Sequence, residues 1–147
     1  MTAAAALLTL AAGVSGAVQL AVMGRFGQRI GTVQALAFAN CVSAAIGIAV
    51  LLVARRSLAG FADAARQPKW LWIGGLAGAF IVFTVTLVAP RLGAFATTGL
   101  FLAAQLAMAV VIDRFGLFGL SRIGVSWTRV AGIALLAAGA VLTLHRA

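Results

Sequence analysis

Conventional reactive side chains are nearly absent from this chain, whose 147 residues hold two carboxylates, one histidine and one cysteine. Asp63 sits in a basic stretch between apolar runs, and Asp113 closes the apolar run that ends AQLAMAVVID. His145 is third from the end and Cys41 lies inside an apolar run, so the two make a poor metal site. A lone cysteine excludes an intrachain disulfide. The sequence shows no nucleophile–base pair, no metal-ligand cluster and no phosphate-cradling glycine loop. It therefore reads as a non-enzyme that uses neither a metal nor a cofactor.

The polar groups that remain are amides and hydroxyls set in apolar sequence. Gln19, Asn40 and Gln105 each lie well within an apolar run, as do Thr84, Thr86, Thr97 and Thr98. Lipid offers no hydrogen bonds, so each of these side chains needs a partner. An amide both donates and accepts, which suits a cavity for a polar or neutral solute. The same amide can instead bond a neighbouring helix and only hold a bundle together. Phe80 and Phe83 lie deep enough to wall such a cavity, or to pack against other helices or lipid. Trp70 and Trp72, at the edge of their run, read as an interfacial belt.

Asp113 follows Gln105 by eight residues, a little over two helical turns, so the two fall roughly on one helix face. It stands at the end of its run, where the penalty for a charge is well below the roughly 3 kcal/mol of a midplane position. A carboxylate at a helix C-terminus opposes the helix dipole, and a nearby cation offsets that. Arg114, Arg122, Arg129 and the basic 55–69 stretch lie on its side of the membrane. An ion pair that fixes the following turn is the expected role, in preference to proton coupling. No Asp, Glu, Lys or His lies at mid-membrane, which argues against a cation exporter switched by a buried carboxylate.

The elements that carry these residues follow from composition. The chain is 64% hydrophobic and 9% charged, with mean hydropathy +1.16, whereas a soluble domain is about half apolar and about a quarter charged. Five apolar runs, at about 3–23, 33–54, 70–89, 92–112 and 123–144, are long enough for helices to cross about 30 Å of hydrocarbon. The alternating pattern of a closed barrel is absent. The expected fold is an all-α integral membrane protein with five transmembrane helices in one domain, 1–147. The first run lacks the basic leader of a signal peptide and is long for one. In the fifth run Trp127 and Arg129 read as interfacial anchors. PRLG at 90–93 reads as a tight turn in which proline ends a helix and glycine supplies the reversal. GGLAGAF carries Gly74, Gly75 and Gly78, whose spacing lets helices approach closely, within a subunit or at a dimer face.

The net charge is +9. In a soluble protein this would suggest nucleic acid, but here the bases sit in short gaps between apolar runs and face lipid headgroups. Seven of them (Arg55, Arg56, Arg66, Lys69, Arg114, Arg122 and Arg129) fall on one side of a five-span chain. Four (Arg25, Arg29, Arg91 and Arg146) fall on the other. The bias weakly favours an N-terminus inside, and its smallness is compatible with insertion either way up.

The stretch WLWIGGLAGAFIVFTVTLVAPRLGA, with GLFLAAQLAMAVVIDRFGLFG after it, resembles the YdcZ-like proteins of the drug/metabolite transporter superfamily. The matching positions are Gly75, Gly78 and Ala79, then Pro90, Arg91, Leu92 and Gly93, then Gln105, Asp113, Phe115, Gly116 and Gly119. Helix one departs from the family pattern, because Met23 stands four residues after Gln19 where the family tends to have asparagine. The resemblance implies a multi-pass protein of the bacterial inner membrane, one half of a five-plus-five inverted-repeat transporter. It would be completed by an antiparallel partner, either a second copy or a similar five-helix chain. Alternating access would then expose a cavity lined by Gln19, Asn40 and Gln105, with Phe80 or Phe83 as walls, to a small solute. Such a dimer would also bring the partner's Arg91 to the side of Asp113. The rival reading is a non-transporting accessory or structural subunit whose amides only pack helices.

Overall fold

In a computed structural model of the chain, residues 3–124 and 126–144 are described; His145 and Arg146 lie outside them. The described elements are helical: α1 (Ala3–Ile30), α2 (Thr32–Arg55), α3 (Ala59–Arg66), α4 (Ile73–Leu92), α5 (Ala94–Phe115) and α6 (Trp127–Leu144). Short 3-10 turns at Lys69–Trp72 and Leu117–Gly119 precede α4 and follow α5. Among the described residues four segments are long and apolar enough to cross a membrane: α1, α2, Lys69–Leu92 and α5. α6 offers a shorter apolar stretch, Trp127–Gly139. The all-α membrane class thus holds, with four candidate spans and one shorter apolar helix among the described residues. The chain divides into two compact units, Val18–Pro90 and Met1–Ala17 with Arg91–Ala147.

The core of the Val18–Pro90 unit is a seam between α1 and α4. Leu20, Met23, Gly24 and Gly27 recur at helical spacing and present one stripe. Leu20 packs with Val85, Ala89 and Ile81. Further along, the glycines let the backbones close in. A Cβ on Gly24 would lie 3.2 Å from Cβ of Ala89 and 3.4 Å from Cδ of Pro90. A Cβ on Gly27 would collide with Cγ2 of Thr86, the most deeply buried side chain of α4.

This seam explains two departures from the sequence reading. The apolar run at about 3–23 leaves a glycine-containing gap before the run at 33; α1 instead continues through it to Ile30. Gly24 and Gly27 are there for close packing, which offsets the roughly 1 kcal/mol that a helix-interior glycine loses to alanine. The turn needs one residue. Gly31 adopts φ 95° and ψ 148°, donates its N–H to the carbonyl of Gly27 (2.9 Å) and accepts from the N–H of Ala35 (3.0 Å). The rings of Phe26 and Phe38 then meet edge to face across it, 5.6 Å apart.

Pro90 also fails to end its helix, since α4 continues to Leu92. Proline removes one backbone donor and crowds the carbonyl four residues back. Near the end of a helix the loss is a single bond, and the ring here lies against Gly24. Gly93 then makes the connection to α5 alone, at φ 80° and ψ 155°, its carbonyl accepting both the N–H (3.2 Å) and the hydroxyl (2.8 Å) of Thr97. The 55–69 stretch, expected as a loop, contains the exposed short helix α3.

The α1–α4 seam predicts a size-specific rescue. Gly27→Ala should destabilise the protein by about 1–3 kcal/mol through overpacking. Adding Thr86→Ser, which removes Cγ2 and keeps the hydroxyl, should recover most of that loss. Thermal unfolding in detergent would measure it, and failure of the second change to help would refute the contact.

Candidate functional site

Hydroxyls and amides behave differently along the spans. Thr9, Ser15, Thr86, Thr97 and Thr98 each donate to the carbonyl four residues back, at 2.6–2.9 Å. A helix thereby satisfies its own hydroxyls. The side chains of Gln19, Asn40 and Gln105 make no hydrogen bond among the described residues, and all three are exposed within the single chain. Gln19, Asn40, Phe80 and Phe83 belong to the Val18–Pro90 unit and Gln105 to the other. Phe80 is exposed and Phe83 half-buried. Met23, at the position where the resembling family tends to carry asparagine, is buried beside the α1–α4 seam. Gly74, Gly75 and Gly78 have nothing within 4 Å of where a Cβ would stand, so they leave an open strip on α4.

Asp113 has a defined partner. Nη1 of Arg129, in the first turn of α6, donates to its Oδ2 at 3.0 Å. The aspartate side chain is 30% exposed and the arginine 44%. The Asp113 carbonyl also accepts the N–H of Ile123 at 2.9 Å. One residue thus holds the α5–α6 connection by backbone and by side chain. Gly116 makes this geometry accessible: it caps α5 at φ 62°, donating to the carbonyl of Ile112. A Cβ there would stand 2.8 Å from Cγ of Arg122 and 2.9 Å from the Leu120 carbonyl.

The same pair closes one end of a groove between α5 and α6, about 310 Å³ in volume and walled by Leu106, Ala109, Val110, Ile133 and Leu136. Asp113 therefore shares its stripe with Leu106 rather than with Gln105. Seven residues at 100° each return to within about 20°, whereas eight leave about 80° between side chains. On the other flank of this connection, Arg114, Phe115 and Arg122 line a second, more polar notch with Ile123 and Gly124. Among the described residues no group of three or more His, Cys, Asp or Glu could hold a metal ion.

Long apolar helices, intramembrane amides and a carboxylate engaged in a turn define a polytopic α-helical membrane protein whose polar groups are placed for packing or passage. Over residues 4–142 the chain matches the family described as "Putative inner membrane exporter, YdcZ", and it belongs to that family. It is similar to the inner membrane protein YdcZ of Escherichia coli (strain K12), with 28% identity over 139 residues, covering 93% of this chain and 92% of that one. No solved structure matches it. The protein is thus an inner-membrane protein with a transporter-type role.

The ion pair predicts coupled substitutions. Asp113→Arg and Arg129→Asp should each lower stability, and the swapped double variant should regain about 0.5–1 kcal/mol relative to additivity. A double-mutant cycle on detergent unfolding reads this term. Strict additivity would mean the two charges do not interact.

Proposed function

We propose that the chain is half of a small-solute transporter, working by alternating access as an antiparallel dimer, with α6 as the fifth span. The observation that carries this reading is the state of the amides. Gln19, Asn40 and Gln105 stand on membrane-length helices with no side-chain hydrogen-bond partner among the described residues. An unsatisfied amide in hydrocarbon costs several kcal/mol. A second chain or a hydrated path would remove that cost. Other features support the reading. Apart from Ala35 no residue of α2 is buried, and the Gly74, Gly75 and Gly78 strip is open. α6 has 18 residues, about 27 Å of helix, enough to cross with Arg129 reaching back to the headgroups.

The weak charge bias, seven bases against four, supports a chain that inserts in both orientations. In an antiparallel pair the partner's Arg91 would approach Asp113, whose second carboxylate oxygen accepts no hydrogen bond among the described residues. Binding would lie near the midplane between the two halves, with the amides turned toward a small polar solute and Phe80 or Phe83 beside it.

Two measurements test this. Reporters active only in the cytoplasm or only in the periplasm, each fused separately after Ala147, should both give signal. Signal from one alone, with the purified protein still dimeric, would rule out the antiparallel homodimer. In proteoliposomes, Gln105→Leu should abolish solute flux while leaving folding and dimerisation intact. Unchanged flux in that variant would sink the cavity assignment, and a folded wild-type dimer with no flux would favour an accessory subunit.

A further inference from the structure

The α5–α6 end of the molecule holds an excess of positive charge that its own carboxylate does not neutralise. Asp113 is committed to Arg129. Arg114, in the last turn of α5, and Arg122, beyond it, have no hydrogen-bond or ion-pair partner among the described residues. They line one notch with Phe115, Ile123 and Gly124. The notch is set by the fold: Ile123 is tied to the Asp113 carbonyl, and the Arg122 stem crosses Gly116 where any Cβ would displace it. On the other flank of Asp113 runs the apolar groove of Leu106, Ala109, Val110, Ile133 and Leu136. Trp127, highly exposed at the start of α6, marks this level as the membrane–water boundary.

We infer that this end of the protein is a binding site for one anionic glycerophospholipid, its phosphate held between Arg114 and Arg122 and an acyl chain laid along the α5–α6 groove. The charges are complementary, because two guanidiniums with planar donor forks face a ligand that carries one phosphate. Their two full charges outweigh the partial negative charge at the α5 C-terminus. The depth is also consistent, since a notch at the boundary beside a groove running into the span matches the order of headgroup and chain in a lipid. The site is independent of whether the protein transports a solute.

Native mass spectrometry on the detergent-purified full chain tests it, with long-chain phosphatidylglycerol, phosphatidylethanolamine, dihexanoyl phosphatidylglycerol and inorganic phosphate as probes. One long-chain phosphatidylglycerol per chain should bind in preference to phosphatidylethanolamine. Arg114→Gln should weaken it by about 5-fold and Arg114→Gln with Arg122→Gln by about 30-fold. Gly116→Ala should also weaken it, by moving Arg122. Arg25→Gln with Arg29→Gln, in the other unit, should leave it unchanged. Equal loss in that control pair, or full retention without Arg114 and Arg122, would overturn the site. Displacement by inorganic phosphate or by the dihexanoyl lipid at matched concentration would overturn the lipid in favour of a free anion. Should the double arginine variant not fold, Ala109→Leu narrows the groove with both arginines in place. Its preference for the long-chain over the dihexanoyl lipid should then fall, and an unchanged preference would refute the chain's place in the groove.

Discussion

A hydroxyl in hydrocarbon can bond the carbonyl one turn back on its own helix, and a glutamine or asparagine amide, with two donors and an acceptor, is not satisfied by one such bond. That difference sorts the polar residues of this chain. Thr86 and Thr97 are buried and discharge their hydroxyls within α4 and onto the Gly93 carbonyl. They are therefore packing residues as far as their neighbours are concerned. The side chains of Gln19, Asn40 and Gln105 make no hydrogen bond among the described residues. Polar groups left open on membrane spans need partners, because lipid supplies no hydrogen bonds.

Small residues perform two unrelated tasks along the chain. Gly24 and Gly27 thin one side of α1 so that Thr86, Ala89 and Pro90 can come close. Gly31, Gly93 and Gly116 sit at positive φ, where side chains are disfavoured, and each ends one helix or opens the next. Without the first set the seam would open, and without the second the helices would need longer connections. Both sets keep the described polar backbone groups near helix ends bonded, as the carbonyls of Gly27, Gly31, Gly93 and Ile112 show.

The helical membrane class was legible in the sequence, because hydropathy leaves few choices, and the scarcity of acids made an ion pair the expected role of Asp113. The identity of its partner was narrower than the sequence could resolve. Arg114, Arg122 and Arg129 were all on the right side, and only the geometry of the α5–α6 connection selects Arg129. The end of α1 was misread because glycine signals a turn and a close contact in the same letter. Gly24 and Gly27 belong to the contact, and Gly31 alone to the turn. Pro90 was misread for a related reason: a proline two residues from a helix end removes too little to stop it. What surrounds the exposed amides of Gln19, Asn40 and Gln105 is not encoded in local patterns, which fix only their places along the helices.

The one-residue joint at Gly31 bears on how the protein is made. A span that leaves the ribosome must be accepted by the membrane before its successor is finished, and any polar loop between them has to be carried across. Here that cargo is reduced almost to nothing, because α1 and α2 meet at one glycine and the rings of Phe26 and Phe38 already touch across it. Arg25 and Arg29 are then the principal charges beside the joint to translocate or retain. At this joint the charge available to bias orientation is that of two guanidiniums, with almost no loop beside them.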